Sequence, residues 1–93
     1  MSNKVIHYLK STKDIPENLR NILPIHAQHI YLNAHNRALE EYKFPETRRY
    51  GGTLEEVAHR VAWAAVKYIY QKEEKTDLWV PKEGVIIKED LES

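Results

Sequence analysis

Residues 58–70 read AHRVAWAAVKYIY, a stretch that would form a helix with apolar side chains around most of its circumference. At about 100° per residue, the apolar and aromatic positions of residues 54–70 cover roughly 240° of the helical wheel. A helix on the surface of a globular domain usually has one apolar stripe and one polar face. The pattern therefore predicts a central helix that neighbouring elements cover on more than one side, with alanines that allow them to approach closely.

The beginning of this helix is marked by the sequence TLEE at 53–56. Thr53 can accept a hydrogen bond as the N-cap residue, and Glu56 stands three residues later, which is the pattern of a capping box. We expect this third helix to extend over residues 53–72.

A second helix is predicted over residues 25–43, because Pro24 disfavours helical backbone at Leu23 and a new helix can start there. Its buried stripe would span about 80° of arc and be rich in small and aromatic side chains: Ala27, Ala34, Ala38, Tyr31 and Tyr42, with Ile30 beside them. A separate arc of this helix is polar and contains His26, His29, Asn33, Arg37 and Glu40.

Both ends of the chain predict β-structure. Residues 4–10, KVIHYLK, are rich in β-branched and aromatic side chains, which is typical of a strand. Residues 78–80 and 85–87 flank PKEG, a plausible tight turn between two further strands. Because a lone hairpin is rarely stable in water, we expect the N-terminal strand to pair with it.

These elements predict a mostly helical α+β fold, with three helices and a small antiparallel sheet formed by the N-terminal strand and the C-terminal hairpin. The first helix would be short, over residues 16–23, with Pro16 in its first turn. The 93 residues suffice for one core, so we expect a single domain over 1–93. The polar residues 88–93 are expected to form a frayed tail.

The composition excludes several classes of function. Fourteen basic and fourteen acidic side chains give no net charge, which argues against a general polyanion binder. The absence of cysteine excludes disulfides, thiol catalysis and cysteine-based zinc sites. The longest apolar run, 61–66, is far shorter than the roughly twenty residues of a membrane span, and the N-terminus has no apolar region of signal-peptide length. We therefore expect a cytoplasmic protein without a membrane span.

The residues that could carry chemistry do not form a recognisable catalytic or metal site. His26 and His29 share a helical face, yet zinc needs three or four ligands and Glu40 lies too far along the helix to complete a set with them. His59 falls within the apolar arc and is best interpreted as a partly buried, hydrogen-bonded structural histidine. The three serines lie near the ends of the chain, which argues against a Ser-His-Asp arrangement. We expect no enzyme activity, no cofactor and no bound metal.

Two surfaces remain as candidates for binding. The first is the polar arc of the second helix with the neighbouring basic loop, which would contact a protein partner through His26, His29, Asn33, Glu40, Arg48 and Arg49. The alternative is a nucleic-acid interface, in which phosphates would be contacted by Arg48, Arg49, Arg60 and Lys67.

Two motifs, LPIHAQHIY at 23–31 and EEVAHRVAWAAVKYIY at 55–70, resemble the ChaB family of cation transport regulators. The matching residues of the first motif are Leu23, Pro24, His26, Ala27, Gln28, Ile30 and Tyr31. In the second motif they are Glu55, Glu56, Ala58, His59, Val61, Ala62, Trp63, Ala64, Ala65, Val66, Lys67 and Tyr70. DIPENL at 14–19, Tyr42, Arg48 and Arg49 fit the pattern as well, and Trp79 fits it more loosely.

The resemblance implies a compact α+β domain with three helices and a small sheet. It further implies regulation of a cation/proton antiporter through protein contact, and it supplies no catalytic residues. The sequence departs from the family pattern at Ile25, where a small polar residue able to cap the second helix is usual. We therefore expect that helix to begin without a side-chain cap.

Overall fold

The computed structural model describes residues 6–47 and 52–84 as an α+β fold. The elements follow one another as α1 (Glu17–Arg20), α2 (Ile25–Glu41), α3 (Leu54–Ile69), β1 (Tyr70–Lys72) and β2 (Trp79–Pro81). Short 3-10 turns at Thr12–Asp14 and Pro45–Thr47 precede α1 and α3. The predicted fold class, with three helices and a small antiparallel sheet, is confirmed.

The core lies where α2 packs against α3. Four alanines at this contact, two from each helix, have no solvent exposure, so the two backbones approach closely as the sequence predicted: Ala27, Ala38, Ala58 and Ala62. One end of the contact is closed by the apolar side chains of the α1 region, Ile15, Leu19 and Leu23. Leu39 of α2 is also fully buried, although it falls outside the predicted stripe.

The prediction that α3 is covered on more than one side is confirmed in part. The buried residues of α3 are Val57, Ala58, Ala62 and Val66, and the last two share a core cluster with Tyr31 of α2 and with Leu19 of α1. Ala64 is exposed, Trp63 is only half-buried, and Tyr68 is 82% exposed. The coverage is incomplete because the other elements are short, since α1 has four residues and each strand has three.

The sheet differs from the predicted one. It pairs β1 with β2 antiparallel, with Tyr70 opposite Pro81 and Lys72 opposite Trp79. The strand β1 occupies residues 70–72, which the sequence pattern assigned to the end of the third helix. The backbone N–H of Lys82 donates to the carbonyl of Ile69 at 2.9 Å, so the returning strand pairs with backbone that a longer helix would use. Residues 85–87, the second strand of the predicted hairpin, lie outside the described residues.

The predicted N-terminal strand is also wrong where the structure describes it, since residues 6–10 have no regular secondary structure. The side chain of Asn36 on α2 makes the backbone hydrogen bonds that a neighbouring strand would make. Its Oδ1 accepts from the Leu9 N–H at 2.8 Å, and its Nδ2 donates to the Leu9 carbonyl at 2.7 Å. The segment is thus held on a helix by a side-chain amide, a pairing that strand propensity does not predict.

The ends of the helices follow local chemistry. Thr53 Oγ1 accepts a hydrogen bond from the Glu56 N–H at 3.1 Å, which confirms the predicted N-cap of α3. The N-cap of α2 is Pro24, which makes no side-chain cap hydrogen bond, as the departure at Ile25 predicted. Pro16 is the N-cap of α1 rather than a residue of its first turn, so that helix is shorter than expected.

Candidate functional site

The open face of α3 carries a groove with a volume of about 710 Å³. Six of its lining residues come from α3 and one comes from β2: Glu56, His59, Arg60, Trp63, Ala64, Lys67 and Trp79. The α3 residues recur every three or four positions and therefore form one stripe along the helix. The groove thus lies along the more exposed side of α3, with Trp79 of β2 contributing to its lining.

Two indole rings form the apolar part of the groove. The ring centroids of Trp63 and Trp79 are 5.0 Å apart at an interplanar angle of 46°. Trp79 is placed by its backbone, because its N–H donates to the Ile22 carbonyl at 3.1 Å and its strand pairs with Lys72 of β1. Both indoles are half-buried, so each keeps part of its ring accessible to a ligand.

The position of Trp63 is supported from behind by an aromatic cluster. The buried ring of Tyr31 contacts Trp63 edge-on at 6.3 Å, and His59 contacts Trp63 edge-on at 6.2 Å. The Tyr31 hydroxyl lies 2.7 Å from His59 Nδ1, a hydrogen bond that joins α2 to α3. The prediction of a hydrogen-bonded His59 is confirmed, whereas the predicted partial burial is wrong, because the residue is exposed at the groove.

The charged side chains of the groove are predominantly basic. Arg60 and Lys67 line it, and within the described parts of the chain neither has a carboxylate at ion-pairing distance. Glu56 lies at the N-terminal end of α3, where Thr53 Oγ1 donates to its Oε1 at 3.1 Å. A Cβ at Gly52 would lie 3.7 Å from Glu56 Oε2 and 3.8 Å from Arg60 Nη2. Gly52 has a φ of +93°, which favours glycine at this end of the groove.

Behind the groove, a buried histidine stacks on the same aromatic cluster. The rings of His35 and Tyr31 are 5.6 Å apart and nearly parallel. His35 Nδ1 is buried without a hydrogen-bond partner among the described residues, and Nε2 lies 4.0 Å from Glu55 Oε2. Burial lowers the pKa of His35, an effect that the Glu55 carboxylate opposes and His59 reinforces. Burial also raises the pKa of Tyr31. His35 and Tyr31 are therefore both uncharged at neutral pH.

The residues of the predicted polar arc of α2 differ in their burial and in their contacts. His26 is half-buried, and its Nδ1 lies 2.8 Å from the Tyr70 hydroxyl. Glu40 is exposed and accepts hydrogen bonds from the Tyr8 hydroxyl and from Lys43, which together lower its pKa. The other three members of the arc are exposed and lie between His26 and Glu40: His29, Asn33 and Arg37.

The structure describes two of the four basic residues that were predicted to contact nucleic acid. Arg60 and Lys67 do lie together, in the groove of α3. Arg48 and Arg49, which belong to both predicted surfaces, lie outside the described residues. The sequence reasoning missed Trp63 and Trp79 as groove residues, although the excess of apolar positions around α3 was the signal for them.

The described residues contain no group of three or more histidine, aspartate or glutamate side chains that could hold a metal ion. Within the same residues, none of the helices is long and apolar enough to cross a membrane.

Comparisons with known proteins agree with the motifs of the sequence, since the ChaB family model matches residues 15–82. This chain belongs to the ChaB family. It is similar to the proteins named "Putative cation transport regulator ChaB" of Escherichia coli (strain K12) and of Shigella flexneri. Each of these is 48% identical over 73 residues, which cover 78% of this chain and 95% of the relative.

A solved structure shares the fold of this ChaB-family chain. It is the NMR solution structure of the putative cation transport regulator ChaB, with a TM-score of 0.67 and 47% sequence identity. The similarity covers 81% of this chain and 99% of that chain. Five of the seven groove residues belong to the matching residues of the motif at 55–70: Glu56, His59, Trp63, Ala64 and Lys67. The same motif supplies Ala58, Ala62 and Val66 of the buried side of α3.

Proposed function

We propose that this chain is a non-enzymatic regulator of cation transport that acts by binding a protein partner through the groove on α3. The names of its relatives support the regulatory role, since they are called putative cation transport regulators. The finer part of the proposal is that the partner is a cation/proton antiporter and that the chain contacts it from the cytoplasm.

The observation that carries the proposal is the partial exposure of two tryptophans beside two basic side chains in one groove. Trp63 and Trp79 keep part of their rings accessible at 5.0 Å from each other. Tryptophan and arginine are enriched among residues that dominate protein–protein binding, because large rings and planar guanidinium groups gain most when a partner desolvates them. Arg60 completes this combination on the next turn of α3.

The titratable side chains of the groove support a binding role over catalysis. His59 Nδ1 is hydrogen-bonded to the hydroxyl of Tyr31, and Glu56 Oε1 accepts a hydrogen bond from the hydroxyl of Thr53. A general base needs a substrate proton within hydrogen-bond reach, and these two groups are engaged in contacts that hold α2 and the start of α3.

The test is a transport assay in membrane vesicles prepared from the native cell. The purified chain should change the rate of cation-driven proton exchange, measured with a pH-sensitive dye. Trp79→Ala should reduce this effect, since it removes one wall of the groove. Tyr68→Ala is the matched control, because Tyr68 is an exposed aromatic residue of α3 that does not line the groove. The proposal fails if the wild-type chain leaves the exchange rate unchanged.

A second candidate function is the binding of single-stranded nucleic acid. Stacking aromatic rings beside basic side chains are the usual means of such binding, and Trp63, Trp79, Arg60 and Lys67 supply both. Glu56 at one end of the groove and the zero net charge favour the protein partner instead. An oligonucleotide titration at low salt tests this, since nucleic-acid binding would weaken steeply with added salt.

The polar arc of α2, with Arg48 and Arg49, stays a prediction for a second contact with the same partner. His29 and Asn33 are the residues of this arc to substitute, because both are exposed. His26→Ala is unsuitable as a binding variant because the loss of the Tyr70 contact would also change stability.

A further inference from the structure

We infer that the groove on α3 binds an extended acidic segment of the partner, with two acidic side chains three residues apart and one apolar side chain between them. This inference rests on the proposed function and specifies the chemistry of the partner. The spacing of charges, the apolar surface between them and the acidic end of the groove each contribute to it.

The spacing is set by two basic side chains of the groove that have no carboxylate at ion-pairing distance within residues 6–47 and 52–84. Arg60 and Lys67 are seven positions apart on α3, which corresponds to about 10.5 Å along the helix axis. A segment in the extended polyproline II conformation advances about 3.1 Å per residue with three residues per turn, so acidic side chains at positions i and i+3 project from the same face about 9 Å apart. Such a segment lying along α3 would bring one carboxylate to each cation.

The surface between the two cations is apolar. Trp63 and Ala64 lie between Arg60 and Lys67 along α3, and Trp79 flanks Trp63 from β2. Ala64 is exposed, and its small side chain leaves room for a larger one to approach the helix. An apolar or aromatic residue of the partner, placed between its two acidic residues, would therefore bury its side chain against the indoles.

The end of the groove limits the number of acidic residues. Glu56 lies one turn before Arg60, so a third acidic side chain on that side would be repelled. A nucleic-acid strand carries a phosphate at every nucleotide and cannot omit the charge next to Glu56. A peptide can place a neutral or basic residue there, which favours a peptide as the occupant.

The sequence preference can be measured with a displayed library of random peptides that contain no tryptophan. Selection on the full chain should enrich peptides with Asp or Glu at i and i+3 around an apolar residue. Binding of a selected peptide should shift the tryptophan emission, because the chain has two tryptophans and both line the groove. A thymidine oligonucleotide serves as the competing occupant in the same fluorescence titration.

Charge reversal provides the decisive variant. Arg60→Glu with Lys67→Glu should weaken the selected peptide roughly tenfold, and selection on this variant should enrich basic residues at the same spacing. Lys13→Glu with Lys75→Glu is the matched control, because it makes the same change in net charge at exposed positions outside the groove. Circular dichroism establishes that both double variants keep their helices.

Three results would overturn the inference. The enriched peptides could lack acidic residues, the control variant could weaken binding as much as the groove variant, or the oligonucleotide could bind in preference to the peptide. These outcomes are distinguishable from a failure of the proposed function. A selected acidic peptide together with unchanged transport in vesicles would remove the transport role and leave the groove chemistry intact.

Discussion

The hydroxyl of Tyr31 and Nδ1 of His59 are 2.7 Å apart, and this hydrogen bond connects the buried face of α2 to the exposed groove of α3. Tyr31 is only 2% exposed, and its ring also contacts His35 and Trp63. Tyr31 therefore contacts residues of both helices: His35 of α2, and His59 and Trp63 of α3. The orientation of the groove wall depends on the packing of the core.

Removing the hydroxyl alone should have a modest effect. Tyr31→Phe keeps the ring packing and loses the hydrogen bond to His59, so we expect unfolding to require about 0.5–1.5 kcal/mol less free energy. Tyr31→Ala leaves a cavity as well and should cost about 3–5 kcal/mol. Urea unfolding at neutral pH measures both values. Equal losses for the two variants would contradict the separation of ring packing from hydrogen bonding.

Gln28 should be more important for stability than a polar residue on an exposed face. It is buried, and its Nε2 donates to the carbonyls of Leu23 at 2.8 Å and Arg20 at 3.3 Å. Gln28→Met preserves the size of the side chain but leaves the Leu23 carbonyl unpaired, which should cost about 1–3 kcal/mol.

Gln28→Glu provides a second check of the same contact. A carboxylate would face the two carbonyl oxygens, so this variant should be less stable than Gln28→Met at neutral pH. The difference should narrow at pH 4, where a protonated carboxyl can donate to Leu23. Asn33→Ala, an exposed change on the same helix, should stay within about 0.5 kcal/mol of wild type. If the destabilisation of Gln28→Glu does not depend on pH, the hydrogen bond to the Leu23 carbonyl does not explain the importance of Gln28.

The buried His35 should make the protein less stable in mild acid. Burial lowers its pKa in the folded state, so the unfolded chain takes up a proton near the ordinary value of 6.5 while the folded chain resists it. The unfolded state then binds more protons, and stability decreases as pH falls from 6.5 towards the folded-state pKa. Above pH 6.5 this contribution is fully present.

Unfolding free energies between pH 7.5 and 5 test the role of His35. The wild type should lose stability over this range, and His35→Gln should lose less because the group that titrates is gone. Glu55→Gln should increase the loss, since the Glu55 carboxylate raises the pKa of His35 and offsets part of the effect of burial. The same pH dependence in wild type and His35→Gln would assign the acid sensitivity to another residue.

Asn36 should control the attachment of the N-terminal segment. Its amide makes both hydrogen bonds to the Leu9 backbone, so Asn36→Ala should cost about 1–2 kcal/mol and release residues 6–10. Tryptic cleavage after Lys10 should accelerate about fivefold for each kcal/mol lost locally. Asn33→Ala is again the matched control, as an asparagine of the same helix that makes no such contact. Unchanged cleavage in Asn36→Ala would show that other contacts hold the segment.

The N-cap of α3 should contribute measurably to stability. Thr53→Ala removes the acceptor for the Glu56 N–H and should cost about 1 kcal/mol, whereas Thr53→Ser keeps the hydroxyl and should be nearly neutral. Thermal unfolding followed by circular dichroism compares the two. A Thr53→Ala variant as stable as wild type would mean that water replaces the cap without cost.

The local features of the chain were predictable from sequence because they depend on neighbouring residues alone. The Thr53 cap and the close approach at Ala27 and Ala62 follow from side-chain chemistry and helical spacing, and the uncapped start of α2 follows from the departure at Ile25 from the family pattern. The family resemblance implied the same fold class that the predicted elements indicated.

The sites were less predictable, because they depend on which surfaces are covered. The apolar periodicity that includes Trp63 and Ala64 indicates that these side chains contact other apolar groups. It does not show whether those groups belong to the core of the domain or to a partner bound in a groove. The amide of Asn36 makes hydrogen bonds to the backbone of Leu9 that a neighbouring strand would otherwise make. This contact between distant residues cannot be predicted from the pattern of apolar residues within 6–10.

The sequence by itself determined the helices, their caps and the apolar stripe that joins α2 to α3, because each of these is set by residues within a few positions of one another. The tertiary structure alone decided that α3 keeps an open face and that β1 replaces its predicted last turn. The physical reason is coverage: the short α1 and the two short strands cover α3 only in part and leave two tryptophans and two cations accessible.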